Sequence, residues 1–349
     1  MSILAAAPAP HEWIPEAAVA AACLGVSVPL LARMVRRGPL DRPERLPPGS
    51  SAWPLVFALS WGLLVWMMVP VAYVAWRGPA LRAATQPATQ SAPATARAQE
   101  VDKPRSPPDG TLDLATLPPR DVAFLSAVPH LAALLALIAF DLTIYGGDLS
   151  VLGFSLRQAR TGLATGAGLS LLIVPFVFGA AVVTDWFYRW IEFEHPREHD
   201  LLRVLGQSAE PWVRVALAAG AVVVAPLSEE MLFRGHAQTI LRRALARLGP
   251  AAAAPQGGRG FPLDAPHASE DTEVVFVPAT PPAWATWGAV VLASMLFASV
   301  HDRWTWPPIF FLSLGLGWVY ERTGNLWAPV AVHAAFNAIS TLIFLSTTG

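Results

Sequence analysis

Val222-Val-Val-Ala-Pro-Leu-Ser-Glu229-Glu230-Met-Leu-Phe-Arg234-Gly235 ends an apolar run long enough to lie in a membrane, and it sets two adjacent carboxylates there. A carboxylate moved from water into hydrocarbon costs several kcal/mol, so an ionisable group at that depth points to a functional site with a nearby partner. Arg234 follows Glu230 by four residues, the favourable order for an ion pair on one helix face. Glu229 is left without a cation in its own helix.

The rest of the composition agrees with a lipid environment. Hydrophobic residues make up 54% of the 349-residue chain and charged residues 14%, against about 25% charged in a soluble domain. Net charge is −1 and Lys103 is the only lysine, so no basic face invites nucleic acid. Cys23 is the single cysteine, which excludes an internal disulfide and any CxxC metal site. Residues 1–15 lack Lys and Arg, whereas Arg33, Arg36 and Arg37 follow the first apolar run; this reverses the order of a secretory signal and predicts a first membrane helix instead.

Apolar runs of spanning length lie near residues 16–34, 53–76, 121–146, 162–185, 211–228, 284–301, 307–321 and 325–346. They predict an all-α polytopic membrane bundle of about eight transmembrane helices, with Pro70, Pro129 and Pro175 expected to kink theirs. Two units are expected: N-terminal membrane helices over 1–204 and a second membrane core over 205–349. Stretches 77–120 and 249–283, rich in Ala and Pro, read as a loop and an insertion with too little apolar content to bury. Residues 152–160 and 186–210 mix aromatic and charged side chains, as suits a headgroup layer. His195 and His199 are four apart, but Pro196 between them favours wet surface histidines over a metal pair.

Three polar clusters belong at membrane depth. They are Ser228-Glu229-Glu230 with Arg234, Phe297-Ala-Ser-Val-His301, and His333-Ala-Ala-Phe-Asn337, where the spacing of four puts imidazole and carboxamide on one helix face. Each alone has a structural reading as an ion pair, a snorkelling side chain or interhelical glue. Together, one unpaired carboxylate, two histidines and an amide form a set able to bind and activate water. The chemistry it supports is hydrolysis, with a glutamate as base and neutral donors for the oxyanion. HExxH, GxSG and GxGD, the marks of three other intramembrane hydrolase classes, do not occur.

These residues resemble a known family. Glu229-Glu230-Met-Leu-Phe-Arg234, Phe297 to His301 and His333 to Asn337 match, in order, the EExxxR, FxxxH and HxxxN/B motifs of the CPBP family, which includes the type II CAAX prenyl endopeptidases and the bacteriocin-processing and immunity proteins. Tyr320 to His333 is similar to the family's approach to its third motif, and the resemblance covers about residues 205–345. It implies a helical membrane core with the site open to the cytoplasm. It further implies Glu229 and His301 as the water-activating pair, His333 and Asn337 as oxyanion donors, and Glu230, Arg234 and Phe297 in support.

The expected function is therefore hydrolysis of a peptide bond in a membrane-associated substrate, a peptide or a lipidated protein, with membrane lipid as the other partner and no nucleic acid. No cofactor is expected. The alternatives are a zinc-dependent protease holding its metal through Glu229, His301 and His333, a non-catalytic scaffold or immunity protein, and a transporter whose carboxylates carry ions. The expected location is the plasma (inner) membrane, multi-pass, with Arg33–Arg45, Arg157–Arg160 and Arg234–Arg247 on the cytoplasmic side.

Overall fold

A computed structural model describes residues 10–36, 51–85, 117–196, 199–248 and 281–348. Most of the two Ala- and Pro-rich stretches, 86–116 and 249–280, lies outside the described residues. Among those residues every regular element is helical: α1 (Pro10–Arg36), α2 (Trp53–Thr85), α3 (Pro119–Ile144), α4 (Ala159–Trp190), α5 (Asp200–Gln207), α6 (Pro211–Ala219), α7 (Ala225–Glu230), α8 (Thr239–Leu248), α9 (Ala283–Ser299), α10 (Trp306–Thr323) and α11 (Trp327–Thr348). The polytopic bundle expected from the apolar runs is present.

Each of the eight runs forms a helix, and among the described residues six stretches are by themselves long and apolar enough to cross a bilayer: Pro15–Arg36, Trp53–Gly78, Pro119–Ile144, Leu156–Trp190, Pro211–Leu248 and Trp327–Thr347. With 17 residues, α9 rises only about 25 Å, short of a hydrocarbon core about 30 Å thick. In α10, Trp, Pro, Gly and the Glu321–Arg322 pair dilute the apolar character.

Burial is inverted relative to a water-soluble protein. Trp61, Met67, Leu171 and Val215 point outward, while Glu230, Arg234, His236, Gln238 and Glu321 are at most 1% exposed. An apolar exterior around a polar core is what a lipid solvent selects.

One rod organises that core. From Pro211 to Leu248 the chain is continuously helical, but two π-helical stretches, Gly220–Val224 and Met231–Gln238, flank the Glu229–Glu230 pair. Pro226 explains the first. Ala225 N–H donates to Gly220 O, five residues back, and Pro226 has no N–H to offer, so the Ala221 carbonyl loses its backbone donors. In the second stretch the His236 ring meets Met231 O at 2.9 Å and the Thr239 hydroxyl donates to Arg234 O at 3.2 Å, so side chains satisfy the widened turns.

Small residues let the helices close around this rod. A side chain added at Gly166 of α4 would run into the Ala328 carbonyl and lie 2.7 Å from the Ala331 Cβ of α11. At Gly62 of α2 it would meet Leu137 of α3 at 2.8 Å and Leu232 at 3.0 Å. Polar contacts then tie the rod to its neighbours: His236 Nε2 meets Asp141 of α3 at 3.1 Å, and Gln238 donates to Glu321 of α10 at 2.8 Å.

The bundle has two distinct ends. At one, the Tyr320 hydroxyl donates to Leu152 O and Asn325 donates to Gln158 O, which joins the end of α10 to the start of α4. At the other, Arg189 near the end of α4 pairs with Glu16 near the start of α1, and Arg120 at the start of α3 pairs with Glu210 before α6.

Candidate active site

A cavity of about 1200 Å³ opens at this second end. Its wall is largely apolar, with Trp66, Pro70 and Val74 from α2 and Val122 and Leu125 from α3, and its polar lining includes Ser126, His130, Glu229, His301 and Asn337. His199 and Asp302 form an exposed rim, 3.7 Å apart.

Glu230 is anchored. It is fully buried, and its Oε1 accepts from Arg234 Nη1 at 3.1 Å and from His333 Nδ1 at 3.0 Å. Arg234 also donates through Nη2 to the Ser313 hydroxyl at 2.7 Å and the Ser313 carbonyl at 3.2 Å. Its guanidinium lies 4.6 Å from the centre of the Phe297 ring, which in turn packs against Phe233, His301 and His333. Phe297 is thus the apolar floor shared by all three motifs.

Glu229, one residue earlier, turns toward the cavity instead. Its Oε2 is 3.7 Å from His333 Nε2 and its Oε1 is 3.7 Å from His130 Nδ1. Both separations exceed hydrogen-bond length, so neither imidazole closes onto the carboxylate.

The other expected site residues take defined tautomers and partners. His301 Nδ1 lies 2.7 Å from Phe297 O, and a carbonyl can only accept, so Nδ1 carries the proton and Nε2 the lone pair. The His301 carbonyl is held by the Trp306 indole at 2.9 Å. Asn337 donates one amide hydrogen to Ala221 O at 2.7 Å, the carbonyl that Pro226 leaves without a backbone donor, and its second amide hydrogen remains for another acceptor.

The structure brings Glu229, His301 and Asn337 to one cavity. His333 stands behind Glu229, 3% exposed, bridging the two glutamates. His195 and His199 do not pair: His195 stacks on Trp304 and faces Asp185 at 3.3 Å, while His199 caps α5. Among the described residues no group of three or more His, Cys, Asp or Glu side chains is placed to hold a metal ion.

One cavity residue was missed from sequence. His130 follows Pro129 in the middle of an apolar run and belongs to none of the three clusters. An ionisable side chain eleven residues inside a spanning helix was itself the available signal.

Fold and site together define a polytopic helical membrane protein with a carboxylate–imidazole centre in a largely apolar cavity. Residues 273–339 match the family model described as Type II CAAX prenyl endopeptidase Rce1-like, which bears out the resemblance to the CPBP family. That stretch contains His301, His333 and Asn337, whereas Glu229, Glu230 and Arg234 lie upstream of it. At family level the match supports a CAAX-protease-like intramembrane endopeptidase. Neither the curated proteins nor the solved structures gave a match to the chain.

Proposed function

We propose that the protein hydrolyses a peptide bond of a membrane-associated substrate, with Glu229 as the base for the attacking water. The observation that carries this reading is the different fate of two adjacent carboxylates: Glu230 is tied to Arg234 and His333, while Glu229 faces the cavity with no direct hydrogen bond to either flanking imidazole. Water bound between Glu229 and the His301 Nε2 lone pair gives its proton to Glu229 as its oxygen attacks the carbonyl carbon. The resulting oxyanion accepts the second Asn337 N–H, with His333 Nε2 as the other donor when that imidazole carries a second proton beside the Nδ1–H given to Glu230. The carbon–nitrogen bond then breaks as Glu229 returns its proton to the leaving amine.

No step requires a metal, and the apolar wall of α2 and α3 suits a substrate carrying a lipid or an apolar segment. We further propose that the protein lies in the plasma (inner) membrane with the cavity mouth toward the cytoplasm. The test compares peptides released from membranes holding wild-type protein or Glu229→Gln, each before and after dialysis against a chelator. Specific peptides appear with wild-type protein, persist after chelation and vanish with Glu229→Gln. Equal release from both proteins overturns the assignment of Glu229.

A further inference from the structure

We propose that His130 is a positioning residue for Glu229, fixing its carboxylate from the side opposite His333. The Ser228 hydroxyl has one hydrogen, and it is directed to Ala225 O at 3.0 Å. Ser228 Oγ therefore meets His130 Nδ1, 2.9 Å away, as an acceptor, and Nδ1 carries the proton. The same N–H edge faces Glu229 Oε1 at 3.7 Å. Trp66 of α2, with its ring centre 5.2 Å from that of His130, limits rotation of the imidazole.

The two oxygens of Glu229 thus meet imidazoles from different helices, Oε1 from α3 and Oε2 from α11. Ser228 already has an acceptor in its own helix, so His130 is not needed to satisfy that hydroxyl. What His130 supplies besides is an N–H edge toward Oε1 of the carboxylate. The ring packed beside Oε1, with its N–H dipole toward that oxygen, limits the positions open to the carboxylate; without it the carboxylate can rotate, and small losses of alignment are costly in rate.

His130→Phe keeps the ring against Trp66 and removes the donor, whereas His130→Asn can return an amide N–H close to the Nδ1 position. For the rate arm, which rests on the endopeptidase reading, His130→Phe lowers kcat about 10- to 100-fold with KM little changed, and His130→Asn restores most of it. A second arm is independent of cleavage. A hydrophobic carbodiimide adds to protonated carboxyl groups it can reach, and labelling of Glu229, located by mass spectrometry, rises about threefold in His130→Phe as the carboxylate loses the N–H edge beside it. It falls back in His130→Asn and is absent in Glu229→Gln.

Unchanged kcat and unchanged labelling in His130→Phe overturn the proposal. So does a fall in kcat with unchanged labelling and no recovery in His130→Asn, which marks a packing role. If wild-type protein cleaves nothing, the labelling arm alone decides, and the failure belongs to the endopeptidase reading.

Discussion

Adjacent residues on a helix point about 100° apart, and Glu229 and Glu230 use that angle to reach two environments. Glu230 finds a cation and an imidazole; Glu229 finds a cavity. Asn337 is the most informative residue between them, because it has two separable duties. Its amide satisfies the Ala221 carbonyl, and its remaining N–H is the proposed oxyanion donor. Asn337→Ala is expected to lower the cleavage rate about 100-fold and to destabilise the protein by about 1 kcal/mol through the loss of the hydrogen bond to the half-buried Ala221 carbonyl. Rate and unfolding midpoint in detergent measure the two separately. A loss of stability with full activity would remove Asn337 from the chemistry.

At the scale of the element, the rod from Pro211 to Leu248 carries the site on irregular helix. A π turn places an extra residue in the ring, and Gly220–Val224 lies immediately before the turn that presents Glu229. Pro226→Ala restores an N–H able to compete for the carbonyls now left over. It is expected to preserve or raise the unfolding midpoint while lowering the cleavage rate about tenfold, as Glu229 rotates out of register with His301. Unfolding and kinetics on the purified variant check both directions. Spacing of polar residues was enough to find the EExxxR, FxxxH and HxxxN helices, because four-residue intervals mark a single face. The π turns escaped it, since Pro226 alone reads as an ordinary helix interruption.

For the whole molecule, the bundle separates two expectations that the sequence had joined. Arg157 and Arg160 flank the start of α4, and Arg242 bonds Glu321 near the end of α10. These arginines lie at the end opposite the cavity rim of His199 and Asp302. They cannot mark the cytoplasmic side while the cavity also faces the cytoplasm, so one of the two expectations gives way. With the cavity toward the cytoplasm, as proposed, Asp302→Cys in a Cys23→Ser background is labelled by an impermeant maleimide only after the cells are permeabilised, and Leu248→Cys is labelled in intact cells. The reverse pattern turns the molecule over and leaves the chemistry unaltered.

By itself the sequence determined that the chain lives in lipid, that it is helical, and that three polar clusters lie at membrane depth. Those properties are local: apolar run length and four-residue spacing are written along one helix. The four-residue spacing also paired Glu230 with Arg234 and left Glu229 free; only the tertiary structure decided that His333 bridges the two glutamates and that His130 reaches the site from α3. These depend on contacts between residues about a hundred positions apart, which periodicity does not encode. They also depend on two π turns that rotate the rod by an amount no spacing rule contains.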